Sequence, residues 1–107
     1  MKLNIYDRKN VVKTYTADSY DLMFGTVEDV ANAIKLDEIQ NGSETEILKA
    51  IIAMAMTSKE VVKDLLKDIF EGITDDEIRH TRVRDQAAVL YEVVTFTFKG
   101  LTGHEKN

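Results

Sequence analysis

The sequence pattern changes from strands to helices within the stretch Tyr20-Asp-Leu-Met-Phe-Gly-Thr-Val-Glu-Asp-Val30. Before it, apolar residues follow strand periodicity, whereas after it they recur every three or four residues, as in a helix. Thr26 and Asp29 have the spacing of a capping box, in which a side-chain oxygen accepts from the free amide groups at a helix start. This junction predicts an N-terminal hairpin followed by helices. The first helix is expected to begin with a short turn near Tyr20 and to run in earnest from Val27 to about Leu36.

The residues before the junction predict a β-hairpin over 1–17. Leu3 and Ile5 lie in a first short run, and the second run, Val11–Thr16, is rich in β-branched side chains. The charged connection 7–10 is typical of a hairpin loop. Because two strands alone are only marginally stable, the hairpin must pack on the helices or pair with another chain. A homo-oligomer formed through its edge therefore remains open.

The residues after the junction predict a bundle of about four helices over 19–100. Asn41-Gly42 breaks the chain after the first helix. Three further capping boxes mark helix starts, at Ser43 with Glu46, at Thr57 with Glu60 and at Thr74 with Glu77. The second helix is expected to end near Met56 and the third at Gly72.

The last helix is expected to be interrupted or bent at Thr81 and then to continue to near Phe98. Its apolar spacing favours helix, although the alternation over Val93–Phe98 leaves a terminal strand as the alternative. Residues 101–107 are expected to form a frayed tail. The predicted fold class is thus α+β and mainly α, in a single domain of residues 1–107.

Composition restricts the chemistry of the chain. Of its 107 residues, 44% are hydrophobic and 31% charged, which is typical of one folded domain. Cysteine is absent, so disulfides and thiolate zinc sites are excluded. The chain shows no leader and no apolar run long enough for a membrane span, so we expect a cytoplasmic protein without a membrane partner.

The net charge of −5 and pI of about 5.0 argue against general affinity for nucleic acid. Four basic residues, Arg79, His80, Arg82 and Arg84, nevertheless form a local cluster. Acidic neighbours offset it, and we expect Asp75 to pair with Arg79 and Asp85 with Arg82. A small helical DNA-binding regulator that uses Arg79–Arg84 is therefore kept as an alternative function.

Catalytic motifs are lacking. The two histidines, His80 and His104, are far apart in the sequence, and no phosphate-binding glycine loop or nucleophile motif is present. Asp75-Asp76-Glu77 beside His80 is better interpreted as a set of acidic residues in a helix first turn than as a metal site. We expect no enzyme activity, no cofactor and no metal.

The second helix is unusual because it is apolar on nearly every side from Ile47 to Met56. Such a helix is typically the buried centre of a bundle. If the bundle leaves one side uncovered, its methionines would supply an adaptable surface for apolar partners. The candidate partner-binding residues are Ile47, Ile51, Met54 and Met56, with burial in the core as the competing interpretation.

Three segments carry a resemblance to a known family. They are Ile5-Tyr6-Asp7 in the opening strand, Phe24-Gly-Thr-Val-Glu-Asp29 at the junction, and Arg79-His-Thr-Arg-Val-Arg-Asp85 at the start of the last helix. Together they resemble the tail assembly chaperones of long-tailed, siphovirus-type phages or prophages of Gram-positive bacteria. The chain departs from that pattern at Gln86-Ala87-Ala88, where members of the family commonly have more aliphatic residues.

The resemblance implies a non-catalytic chaperone that works in the host bacterial cytoplasm during virion morphogenesis. It would bind the aggregation-prone tape measure protein, with the tail tube protein as a further candidate partner, and would be absent from the mature virion. The family also implies a longer product made by translational frameshifting. A structural subunit that stays in the virion is the other alternative to the chaperone.

Overall fold

The structure, a computed structural model, describes residues 1–103. An antiparallel hairpin of β1 (Lys2–Asp7) and β2 (Asn10–Thr16) precedes the helices. The helices are α1 (Phe24–Ala33), α2 (Leu36–Asn41), α3 (Glu44–Thr57), α4 (Lys59–Ile69), α5 (Asp75–Arg79) and α6 (Val83–Gly103). The predicted fold class, α+β and mainly α, is confirmed, with six helices in the described residues where about four were expected.

The hairpin packs on the helices through one face. Leu3 pairs with Tyr15 and Ile5 with Lys13 across the two strands, so these four side chains share a face. Leu3 and Ile5 are buried in the core. On the opposite face, the Thr14 hydroxyl donates to the Asn4 side chain at 2.8 Å. Because side chains alternate between the two faces of the strands, one face of the hairpin packs on the helical core.

Helix α6 supplies much of that core and contacts α2, α3 and β1. Its buried side chains are Val89, Leu90, Val93, Val94 and Phe98. These buried positions recur at helical spacing, and within Val93–Phe98 they do not follow the alternation of a strand. The prediction of helix over 93–98 is confirmed, and the alternative of a terminal strand is wrong.

The start of α1 differs from the prediction. The helix begins at Phe24, and its N-cap residue, Met23, has no side-chain cap. Thr26, expected to be the cap, lies inside the helix and is only 7% exposed. The Met23 amide instead donates to a carboxylate oxygen of Asp68 in α4, at 3.0 Å. The predicted capping box of Thr26 and Asp29 is therefore wrong, because a tertiary contact places the helix start earlier.

The end of α1 also differs, since the helix stops at Ala33 and a separate helix, α2, follows. Ile34 has extended backbone dihedrals and is buried. Ile39 of α2 is fully buried as well. The break at Ile34 allows both isoleucines to reach the core, which the predicted continuous helix to Leu36 did not anticipate.

Two of the other three capping boxes form as predicted. At Ser43 with Glu46, and at Thr74 with Glu77, each side chain accepts from the other residue's backbone amide. The box expected at Thr57 and Glu60 does not form. Ser58 is the N-cap of α4, and the Thr57 hydroxyl donates to the Ala53 carbonyl at 2.8 Å.

Two helix ends also shift relative to the prediction. Helix α4 ends at Ile69 rather than at Gly72, although Gly72 has the positive φ of 87° that favours glycine. Helix α6 runs to Gly103, three residues beyond the predicted bundle end, and the rest of the predicted tail lies outside the described residues. The predicted interruption at Thr81 is confirmed, since it separates α5 from α6.

A cluster of four residues, here called the Glu77 clamp, ties the hairpin to α5. The Tyr15 hydroxyl donates to Oε1 of Glu77 at 2.6 Å, and Lys13 Nζ lies 3.3 Å from Oε2. The Thr74 amide donates to the same Oε1 at 3.0 Å. One carboxylate therefore both caps α5 and holds β2. The Tyr15 hydroxyl is the largest cause that lowers the pKa of Glu77 from its ordinary 4.5 to about 2.

The Glu77 clamp predicts a pH dependence of stability. Because the pKa of Glu77 is lower in the folded state, its contribution is complete above about pH 4.5 and is lost as the pH falls toward 2. Glu77→Gln should lower the urea midpoint at pH 6, and the loss should shrink toward pH 2. Urea unfolding followed by circular dichroism measures both effects.

Glu46→Gln is the matched control for this prediction. Glu46 occupies the same position in the other capping box, and the Ser43 backbone amide is the largest cause that lowers the pKa of Glu46. This substitution should change the midpoint less, since it removes no contact to the hairpin. Equal losses from the two substitutions would contradict the role of the clamp.

Candidate functional site

Three of the four candidate partner-binding residues lie in the core. Ile47 and Ile51 are 0% exposed and Met54 is 2% exposed, whereas Met56 is 70% exposed. The buried face of α3 packs between α2, α4 and α6. Ile47, Ile51 and Met54 therefore serve the fold and are not presented to a partner on the folded surface. Of the four, only Met56 can contact one directly.

A different row of apolar side chains lies on the outer side of α3. Leu48 is half-buried, Ile52 is 40% exposed and Met56 is 70% exposed. Their spacing of four residues places them in one row along the helix. We call these three residues the α3 ridge. Helix α3 thus has a buried face and a partly uncovered apolar face.

The sequence contains a pattern that indicates the α3 ridge, although Leu48 and Ile52 were not among the predicted partner-binding residues. Leu48 and Ile52 precede Met56 at steady four-residue spacing. The buried residues Ile47 and Ile51 have the same spacing one position earlier, so periodicity alone gives two equivalent rows. Only the packing of the other helices distinguishes them.

The basic residues of the predicted cluster lie in different environments. The Arg82 guanidinium lies over the ring of Tyr6, 4.0 Å from its centroid, and the Tyr6 hydroxyl donates to Asp85 at 3.3 Å. His80 Nδ1 lies 2.7 Å from the carbonyl oxygen of Asp76. Arg79 instead lines a pocket between helices. Arg82 and Arg79 therefore have different neighbours, and Arg84 is exposed.

The ion pairs expected for this cluster are also replaced. Asp75 Oδ1 lies 2.6 Å from Lys67 Nζ, and Oδ2 lies 3.8 Å from Lys63 Nζ. The expected pairing of Asp75 with Arg79 is wrong, because α5 packs on α4 and Asp75 meets two lysines there. Within residues 1–103, Arg82 and Asp85 approach Tyr6 rather than forming a direct ion pair.

Neither a group of metal ligands nor a membrane-spanning helix is found among residues 1–103. No three histidine, aspartate or glutamate side chains among residues 1–103 are grouped so that they could hold a metal ion. In the same residues, every helix is too short or too polar to cross a bilayer.

Comparisons of the chain with protein-family models, with curated proteins and with solved structures return no match. The candidate site consists of the α3 ridge beside a pocket lined by the basic side chains of Lys59, Lys63 and Arg79.

Adjacent isoleucines test the assignment of the two faces of α3. Ile51→Ala removes a fully buried side chain and should lower the free energy of unfolding by about 2–5 kcal/mol. Ile52→Ala, one residue along, removes a partly exposed side chain and should cost less than about 1 kcal/mol. Urea denaturation of the two variants measures the difference. Similar losses would show that Ile52 belongs to the core.

Proposed function

We propose that this protein is a non-catalytic tail assembly chaperone that binds the tape measure protein and keeps it soluble during phage tail morphogenesis. The observation that carries the proposal is the α3 ridge, an apolar row left uncovered on a helix whose other face is in the core. The resemblance of the opening strand, the junction and the α6 start to that family supplies the identity of the partner.

The chemistry of the α3 ridge suits a long, helical, apolar partner. A helix-in-groove or helix-on-helix contact uses anchors at four-residue spacing, which Leu48, Ile52 and Met56 provide. Met56 is unbranched and polarizable, so it can adapt to different apolar side chains. The net charge of −5 favours solubility of the complex once the apolar surfaces are covered.

The proposal includes a location and a longer form. The chaperone would act in the cytoplasm of the host bacterium and would be absent from the mature virion. A frameshifted product that extends beyond Asn107 would carry further partner contacts, and the tail tube protein is a second candidate partner. Masses of the products expressed from the native locus, with its downstream DNA, test the longer form.

The two alternative functions have less support. A DNA-binding regulator needs several basic side chains free to reach phosphates, whereas Arg82 is held over Tyr6. A structural virion subunit would use the same apolar row for a permanent contact. Mass spectrometry of purified virions distinguishes that case, since a chaperone would be missing from the particles.

Charge introduced on the α3 ridge should strongly weaken the proposed interaction. Ile52→Glu combined with Met56→Glu places two carboxylates where apolar contact is needed, so retention of the co-expressed tape measure protein of the same phage should fall at least about tenfold. The measurement is affinity co-purification, with the partner identified by mass.

Val83→Glu is the matched control, since Val83 is 65% exposed at the start of α6, where a carboxylate is favourable. It should retain the partner fully. Circular dichroism of all variants confirms that the fold is intact. Retention of the tape measure protein by the doubly charged variant would refute the α3 ridge as the binding surface. Failure of the unaltered protein to retain the tape measure protein would refute the chaperone role.

A further inference from the structure

A basic pocket of about 470 Å³ lies where α3, α4, α5 and the start of α6 meet. Three cationic side chains line it, those of Lys59, Lys63 and Arg79. Its apolar lining comes from Ala55, Val62 and Ile78. The pocket therefore combines positive charge with an apolar floor, in a chain whose net charge is −5.

The three cations of this basic pocket differ in how far they are neutralised. Lys63 Nζ lies 3.4 Å from Glu60 and 3.8 Å from Asp75, so its charge is already shared. Lys59 and Arg79 are exposed, and neither forms an ion pair with another side chain of residues 1–103. Two cations thus remain available for an anion that enters the pocket.

We infer that the basic pocket binds a carboxylate side chain of a partner's acidic segment, together with an apolar side chain beside it. The guanidinium of Arg79 can donate two parallel hydrogen bonds to a carboxylate. Lys59 adds a second positive charge, and the floor of Ala55, Val62 and Ile78 accepts the apolar neighbour. The partner is defined by this chemistry, whichever protein supplies it.

A nucleic acid fits the basic pocket less well than an acidic peptide. A nucleic-acid backbone presents a row of phosphates, and its binding needs a basic surface that extends along that row. Here the anionic side chains of Glu60 and Asp75 lie beside Lys63 at the pocket. They would repel a second and a third phosphate of a nucleic-acid backbone, whereas a peptide can present a single carboxylate to Lys59 and Arg79.

The basic pocket continues the surface of the α3 ridge. Ala55 of the pocket follows Ile52 of the ridge by three residues, so the two are neighbours on the surface of α3. A helical segment with apolar residues along one side and a glutamate at its edge would contact both. The inference goes beyond the proposed chaperone role, because it concerns the chemistry of the pocket and can be tested without the tape measure protein.

The test is a nuclear magnetic resonance titration of the ¹⁵N-labelled full chain with two synthetic peptides. One is an acetylated and amidated amphipathic helix of leucine, alanine and glutamate, and the other has every glutamate replaced by glutamine. The acidic peptide should shift the amide signals of Ala55, Lys59 and Arg79 and the side-chain amide of Gln86, which also lines the pocket. The glutamine peptide should bind at least about tenfold more weakly.

Two charge reversals locate the site within the basic residues. Arg79→Glu should weaken binding of the acidic peptide at least about tenfold, whereas Arg84→Glu, an exposed arginine outside the pocket lining, should leave it within about twofold. Lys59→Glu is the second variant within the pocket and should act like Arg79→Glu. The ¹⁵N spectra of all three show whether each variant is folded.

Three outcomes would overturn the inference. Equal binding of the two peptides would show that the carboxylate does not contribute to binding. Tighter binding of a duplex DNA, weakened equally by Arg79→Glu and Arg84→Glu, would assign the basic residues to nucleic acid. Shifts of the same signals when the protein alone is concentrated would make a second copy of this chain the occupant. Loss of tape measure binding with peptide binding intact would refute only the proposed function.

Discussion

Burial of one face of α6 is the constraint on which the remaining elements depend. Val89, Leu90, Val93 and Val94 are within a few per cent of full burial, and the helix that carries them contacts α2, α3 and β1. Two strands are only marginally stable alone, so the hairpin needs this support for Leu3 and Ile5. The Glu77 clamp adds a polar attachment between β2 and α5. Helix α6 packs on the inner face of α3, whereas the outer face of α3 remains partly exposed.

The elements predicted correctly are those encoded by local chemistry. The β-branched runs of the hairpin and the capping boxes at Ser43 and at Thr74 involve residues close together in sequence. Two of the failures involve distant partners. Asp68 of α4 receives the Met23 amide and moves the start of α1, and the burial of both Ile34 and Ile39 divides one predicted helix into two. No local pattern contains that information.

In the candidate site, too, local features could be predicted from the sequence and tertiary contacts could not. The sequence identified α3 as apolar on nearly every side, but it could not tell the row of Ile47 and Ile51 from the row of Leu48 and Ile52, because both follow helical spacing. The basic pocket was also hidden, since Lys59 and Arg79 belong to different helices and meet only when α5 packs on α4. Arg79 was grouped with Arg82 by proximity in sequence, and the fold separates them.

We propose that this protein binds its partner on the uncovered side of α3. Hydrogen–deuterium exchange of the chain, free and in complex with the co-expressed tape measure protein, tests this most directly. The account predicts added protection in residues 48–63, which include the α3 ridge and the start of α4, with exchange in β2 unchanged. Protection confined to β2 or to the start of α6, with no change in α3, would contradict it.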